Sequence, residues 1–102
     1  MNTNNSTCNH GNMLFMIIEK FHDGKPALVY RRFRDKGRLA PAGLPYVNSC
    51  VAEDMTLCYQ IMECENRALI DEWVAAWRDI VDFEVISVMT SAEAAATVGP
   101  RL

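Results

Sequence analysis

The sequence has few of the features that mark a nucleic-acid-binding, membrane-spanning or exported protein. Its 102 residues carry 10 basic and 13 acidic side chains, a net charge of −3, whereas nucleic-acid-binding domains normally show a basic surplus. The longest apolar run, Met13 to Ile18, is far shorter than the ~20 residues that a helix needs to cross a bilayer. Residues 1–12 are polar and contain no hydrophobic segment typical of a signal peptide. We therefore expect a cytoplasmic protein that binds neither nucleic acid nor membrane, with a flexible arm at residues 1–12.

The sequence also lacks a motif for a metal, a cofactor or a catalytic nucleophile. The four cysteines form no CxxC pair and have no histidine at a spacing suited to zinc. We therefore expect reduced thiols, no metal and no cofactor. Cys50 and Cys58 are predicted to face each other across a hairpin. We interpret them as buried neighbours that pack together, with a disulfide as the alternative.

The hydrophobic pattern predicts the order strand, helix, hairpin, helix, strand. Short apolar runs predict strands at 13–21, 46–52, 57–63 and 83–89, and helical spacing predicts helices at 27–36 and, with Asn66 as the N-cap, through 69–81. This order is the ferredoxin-like βαββαβ pattern, an α+β fold. It places both helices on one face of a four-stranded antiparallel sheet with the first and third strands central. We expect one domain at 13–93 and a tail at 94–102. Thr90 and Glu93 form a capping box that opens a short helix leading into this tail.

The predicted sheet is apolar on both faces. A sheet with helices on one face and water on the other normally alternates apolar and polar residues, but every position from Leu14 to Ile18 is large and apolar. An apolar patch of this size usually marks an interface. The N-terminal arm is too polar and the tail too short to cover it, so we expect a dimeric α/β barrel in which two copies pack sheet to sheet. The residues predicted for this contact are Phe15, Ile17, Met62, Ile86 and Val88.

The charges are divided unevenly along the chain. Residues 20–38 carry seven basic and two acidic side chains, and residues 53–93 carry ten acidic and two basic ones. The simpler interpretation is solvated ion pairs between the two helices. The alternative is an anionic ligand held by Arg31, Arg34 and Arg38.

The candidate ligand-binding residues surround an expected cavity between the helices and the sheet. Trp73 and Trp77 lie on the apolar stripe of the second helix, where core packing is the default and cavity lining the alternative. Glu19, Glu63 and Glu84 are interpreted as solvated charges near strand ends, and Gln60 and Asn48 as hydrogen-bonding groups in the dimer contact. The candidate site residues are His22, Arg38, Tyr46, Tyr59, Gln60 and Trp77.

Three segments of the sequence resemble a bacterial family of domains of unknown function. The segments are MLFMIIEKF at 13–21, RFRDKGR at 32–38 and DFEVISVMTS at 82–91. The family is similar in turn to the dimeric α/β-barrel group, and its pattern has a tryptophan where this chain has Cys50. The resemblance implies a ferredoxin-like homodimer. Other branches of the group include cofactor-free monooxygenases, haem enzymes and dimers without catalysis.

Two functions are therefore open. The first is a homodimeric module that binds a small molecule or has no catalytic role, and it is favoured because no catalytic constellation is visible. The second is a cofactor-independent enzyme, monooxygenase-like or isomerase-like, whose site is the cavity between sheet and helices. An enclosed cavity containing His22 or Gln60 beside a perturbed acid or base would favour the enzyme.

Overall fold

A computed structural model describes residues 13–102 and shows a four-stranded antiparallel sheet with three α-helices. This is an α+β fold compatible with the ferredoxin-like pattern. The predicted flexible arm at 1–12 lies outside the described residues. None of the helices within 13–102 is long and apolar enough to cross a bilayer. The elements are β1 (Met13–Phe21), α1 (Pro26–Lys36), β2 (Tyr46–Val51), β3 (Leu57–Cys64), α2 (Arg67–Trp77), β4 (Val81–Val88) and α3 (Ser91–Val98).

The helix ends follow local rules that the sequence already shows. Pro26 occupies the first turn of α1, where its missing N–H has no helical acceptor to lose. The side chain of Asn66 accepts a hydrogen bond from the Ala68 N–H at 2.9 Å and caps α2. Thr90 and Glu93 form the predicted capping box of α3. The predicted end of the second helix is wrong, because α2 ends at Trp77 and residue 81 already belongs to β4.

The strand order β2-β3-β1-β4 confirms that the first and third strands are central. Cys50 lies opposite Tyr59, and Val51 lies opposite Cys58. The predicted pairing of Cys50 with Cys58 is therefore wrong by one residue. Because neighbouring side chains of a strand point to opposite faces, this shift places the two cysteines on different sides of the sheet.

Both α1 and α2 cover the same face of the sheet, which we call the covered face. Ile70, Trp73 and Trp77 of α2 pack against the inward side chains of β1 and β3. Phe15, Ile17 and Met62 lie in this core and are 2%, 0% and 0% exposed. Their prediction as dimer-contact residues together with Ile86 and Val88 is therefore wrong, because the latter two lie on the other face.

The opposite face, which we call the open face, remains partly accessible. In the central strand, Leu14, Met16 and Ile18 are only half-buried. Tyr59 and Ile86 on the neighbouring strands are 39% and 38% exposed. The main contacts of α3 are with the short turn at Gly99–Arg101. The sheet is thus apolar on both faces, as predicted, and α1 and α2 decide which face becomes the core.

Candidate ligand-binding site

A cavity of about 240 Å³ lies on the covered face, between α1, α2 and the sheet. Its apolar lining contains four aromatic side chains. Four of its six polar residues lie on β1, β3 and the α1–β2 loop. The apolar lining residues are Phe21, Val29, Phe33, Val51, Trp73 and Trp77. The polar lining residues are Glu19, Tyr30, Arg38, Ser49, Cys58 and Gln60.

The mouth of the cavity lies between α1 and β2. Tyr30 and Phe33 on α1 are 43% and 47% exposed, and Val51 on β2 is 37% exposed. The polar lining residues Glu19 and Gln60 are buried and only 6% and 7% exposed. A molecule entering this cavity therefore passes an aromatic rim before it meets the polar groups.

A chain of three polar side chains crosses the floor of the cavity. Arg38 Nη2 donates a hydrogen bond to Gln60 Oε1, and Gln60 Nε2 donates one to Glu19 Oε2. A guanidinium group can only donate, so the amide oxygen of Gln60 must face Arg38 and its NH₂ group must face Glu19. Arg38 therefore fixes the orientation of the Gln60 amide group between the guanidinium and the carboxyl group.

Glu19 is a carboxyl group placed in the core of a central strand. Its position continues the inward-facing series of Phe15, Ile17 and Phe21. Burial raises the pKa of Glu19 from 4.5 to about 7, against the hydrogen bond from Gln60 and the charge of Arg38, which both lower it. This carboxyl group consequently exchanges a proton near neutral pH.

The backbone and the side chain of Arg38 are both held in place. The indole N–H groups of Trp73 and Trp77 donate to the Arg38 carbonyl oxygen at 3.2 and 2.8 Å. The guanidinium carbon lies 4.2 Å from the centroid of the Tyr46 ring, a cation–π contact. The Tyr46 hydroxyl is in turn 2.8 Å from Ser49 Oγ. These contacts fix the cation at the edge of the cavity.

Two further ionisable groups border Glu19. Cys58 is its partner across the β1–β3 ladder, and burial, followed by the charge of Glu19, raises the pKa of this thiol to about 12. Cys58 is thus a neutral thiol at physiological pH and a poor nucleophile. Burial likewise raises the pKa of Tyr30. No group of three or more His, Cys, Asp and Glu side chains within residues 13–102 could hold a metal ion.

The structure brings together four of the six residues predicted for the site. Arg38, Gln60 and Trp77 line the cavity, and Tyr46 adjoins it through Arg38. Tyr59 points to the open face and was placed in the cavity wrongly, because the register pairs it with Cys50 rather than with an inward-facing residue.

His22 also lies away from the cavity. It follows the last residue of β1, and its Nε2 is 2.8 Å from Asp82 Oδ1 at the start of β4. His22 therefore does not line this cavity, and a ligand-binding role for it stays a prediction. The chain turns at His22–Gly24 before α1 begins, so the imidazole lies beyond the last residue of β1.

Two interpretations of individual side chains change with the structure. Glu19 is a buried cavity residue rather than a solvated charge, and Gln60 bonds within the cavity rather than in a dimer contact. The sequence did contain a sign that Glu19 is buried: it follows Phe15 and Ile17 at intervals of two residues and therefore lies on the same face of β1. Trp73 and Trp77 are core residues, as the default interpretation held, and they also form the cavity wall.

Ion pairing accounts for part of the basic segment. Arg32 makes a two-pronged contact with the Asp79 carboxylate, with N–O distances of 2.6 and 2.8 Å. Arg34 pairs with its neighbour Asp35 at 2.8 Å. Of the three arginines considered for an anionic ligand, Arg38 is the one that lines the cavity.

Comparison with known protein families gives a match over residues 13–102 to a domain of unknown function, DUF3303. The match spans every described element from β1 to α3. The chain belongs to this family. The sequence resemblance to a family of domains of unknown function is thereby confirmed, and the tail at 94–102 is part of the matched region. No curated protein and no solved structure matches the chain.

Proposed function

We propose that this DUF3303 chain is a small-molecule-binding protein whose ligand occupies the cavity on the covered face. The observation that carries the proposal is the Arg38–Gln60–Glu19 chain, which exposes fixed polar groups to an otherwise apolar cavity. Burying a carboxyl group costs free energy unless it is bonded, so such an arrangement is uncommon in a core that serves packing alone. Ligand sites typically combine apolar walls with a few oriented polar groups and perturbed ionisable residues.

The dimensions of the cavity limit the ligand to about one ring. A cavity of 150 Å³ lined by aliphatic and aromatic side chains holds benzene, and this cavity of about 240 Å³ leaves room for one polar substituent. The walls contributed by Phe21, Phe33, Trp73 and Trp77 suit a flat molecule that stacks on aromatic faces. The polar substituent would meet Arg38 and Glu19 at the floor.

A cofactor-independent enzyme, monooxygenase-like or isomerase-like, is the second candidate function. The supporting observation is that Gln60 lies in the cavity beside Glu19, whose pKa is raised to about 7. The criterion for an enzyme also requires an enclosed cavity, and this one is open at its mouth, where Tyr30, Phe33 and Val51 are exposed, so binding remains the first candidate. Such a carboxyl group suits general acid–base catalysis at neutral pH. Conversion of a bound ligand by the wild type but not by Glu19→Gln, with binding retained in the variant, would favour the enzyme.

A homodimer formed through the open face completes the proposal. The half-buried side chains of Leu14, Met16 and Ile18, together with Tyr59 and Ile86, would be covered by the same residues of a second copy related by a twofold axis. A second copy is the occupant that fits because a twofold axis at the centre of β1 sets apolar rows against apolar rows. Complete burial of an exposed large side chain contributes about 1.5–3 kcal/mol, and each of these half-buried side chains would contribute a fraction of that.

The finer classification follows from the same considerations. The order β2-β3-β1-β4 and the apolar open face support placing the chain in the dimeric α/β-barrel group. The sequence resemblance supports a bacterial origin, and a cytoplasmic location is proposed with it. These assignments are part of the proposal.

The test is a thermal-shift screen of the purified protein against small aromatic compounds and metabolites. A ligand at ten times its Kd stabilises the folded state by about 1.4 kcal/mol, which raises Tm by roughly 5–10 °C for a domain of this size. Val51→Trp, which fills the mouth of the cavity, should abolish the shift. Val47→Trp, on the same strand but outside the cavity, should retain it. Failure to find any stabilising compound, or an equal shift in Val51→Trp, would argue against the proposal.

A further inference from the structure

We propose that the ligand of this cavity is a small aromatic or unsaturated carboxylic acid, and that Glu19 takes up a proton when the acid binds. This inference rests on the proposed function and names its ligand class. The hydrogen bonds among Arg38, Gln60 and Glu19 leave donors and acceptors of these side chains available to a ligand.

One oxygen of Glu19 is left for a ligand. Because Gln60 donates to Oε2, Glu19 accepts at that oxygen whether or not the carboxyl group is protonated. Within residues 13–102 the carboxyl group of Glu19 forms no other hydrogen bond. A proton on this group therefore resides on Oε1, and from there it can be donated to a ligand oxygen.

The guanidinium of Arg38 supplies the second half of the site. One of its N–H groups is bonded to Gln60, and its face lies on the Tyr46 ring. The other N–H groups retain their donor capacity at the cavity edge. A ligand carboxylate could thus accept one hydrogen bond from Arg38 and one from protonated Glu19. Both would be charge-assisted hydrogen bonds.

The charge of the site selects an acid over an amine. Arg38 is always positive, whereas desolvation favours the neutral form of Glu19. The other ionisable side chains that face Glu19 are Tyr30 on α1 and Cys58 on β3, and burial favours the neutral form of both. The lining residues of α2 are the indoles Trp73 and Trp77. The residue opposite Glu19 on β4 is Phe83, which cannot ionise.

The electrostatic field outside the cavity also favours an anionic ligand. Residues 20–38, which include α1 at the mouth, carry seven basic and two acidic side chains. A surplus of positive charge around an opening raises the local concentration of anions. An amine, in contrast, would be repelled by α1 and by Arg38.

Binding of an acid must then be coupled to protonation of Glu19. Two carboxylates in contact cannot both remain ionised, so the anion binds to the protonated form of the site. With a pKa of about 7 for the free site, about half a proton is taken up per ligand at pH 7. The affinity falls roughly tenfold per pH unit above pH 7, or about 90-fold between pH 6 and pH 9.

The experiment is calorimetric titration of the full chain with benzoate and phenylacetate, each compared with its neutral amide. Titrations at pH 6, 7, 8 and 9, in pairs of buffers with different ionisation enthalpies, measure the affinity and the protons taken up. We expect the acids to bind with the proton uptake and pH dependence given above. The amides should bind at least tenfold more weakly at pH 6.

Two variants separate the roles of the polar groups. Glu19→Gln mimics the protonated carboxyl group and should bind the acids with no proton uptake and with an affinity that no longer depends on pH. Arg38→Met keeps the backbone carbonyl that the tryptophans hold and should lose the acids while keeping the amides. The thermal unfolding of each variant verifies that it is folded, and the proton uptake of the wild type requires no substitution.

The outcomes distinguish this inference from the proposed function. Equal binding of amides and acids, or acid binding without proton uptake, would overturn the inference and leave a small-molecule site. Absence of binding by all four compounds would overturn the inference, whereas the wider thermal-shift screen decides the proposed function independently.

Discussion

Replacing Glu19 by glutamine tests whether a carboxyl group is buried in the core, because the two side chains differ chiefly in their ability to ionise. The pKa of Glu19 is raised from 4.5 to about 7, and in the unfolded chain we expect the ordinary value. Between these two pH values the folded protein holds a proton that the unfolded chain has released. The contribution of Glu19 is therefore fully present below pH 4.5 and is lost as the pH rises to about 7.

The size of this loss follows from the shift of the pKa. Each pKa unit corresponds to 1.36 kcal/mol, so Glu19 should lower the free energy of unfolding by about 3 kcal/mol between pH 4.5 and pH 7.5. The slope near the middle of this range is about −1.2 kcal/mol per pH unit. Asp79 titrates outside the range, because its hydrogen bond with Arg32 lowers its pKa to about 2.

The assay is urea unfolding, monitored by the fluorescence of Trp73 and Trp77, at several pH values from 4.5 to 7.5. The free energy of unfolding of Glu19→Gln should gain about 3 kcal/mol relative to the wild type across this range. Glu72→Gln, an exposed carboxyl on α2, is the matched control and should follow the wild type. Parallel curves for the wild type and Glu19→Gln would refute the burial of an ionisable group at this position. All samples need the same protein concentration, since association changes apparent stability.

Two further substitutions test the support of the site and the open face. Trp77→Phe removes the N–H that donates to the Arg38 carbonyl at 2.8 Å. The free energy of unfolding, measured with urea, should fall by about 1–2 kcal/mol. Ligand binding should weaken, whereas the secondary structure seen by circular dichroism should be unchanged. Ile86→Glu on the open face should convert a dimer into a monomer in light scattering. Leu28→Glu on α1, which is similarly exposed in the single chain, should leave the mass unchanged. A dimeric Ile86→Glu protein would contradict an interface at the open face.

Much of the fold is predictable because its signals are local. Proline at the start of α1, asparagine before α2 and the capping box before α3 each act within a few residues. The order of strands and helices then restricts the topology to a small number of arrangements. The errors occur where local signals overlap, as at residues 80 and 81, which continue the helical spacing of α2 although the second of them pairs with Phe21 in the sheet.

The covered face was not predictable in the same way. The first half of β1 carries apolar side chains on both faces of the sheet, so the sequence pattern does not indicate which face is turned to solvent. The indoles and Ile70 of α2 determine the outcome by packing on Phe15 and Ile17, a contact between distant parts of the chain. The assignment of dimer-contact residues failed for this reason.

The site was predictable in its location but not in its central residue. A cavity between helices and sheet with Arg38, Gln60 and Trp77 in its wall follows from the fold and from the residue types. Glu19 looks like an edge charge in the sequence because carboxylates are rarely buried. Its pairing through Gln60 to a cation 19 residues further along the chain depends on tertiary structure.

The two faces of the sheet have separable roles in the proposed function. The lining residues of the cavity lie between α1, α2 and the covered face, whereas the proposed dimer contact uses the side chains on the other face of the same strands. Loss of the dimer in Ile86→Glu should therefore leave the affinity for a ligand within about twofold of the wild type, since a change of ~0.4 kcal/mol or less is expected for a distant, independent site. Calorimetric titration of the monomeric variant measures this directly. A large loss of affinity would show that the partner subunit completes the cavity, and the separation of the two faces would then be wrong.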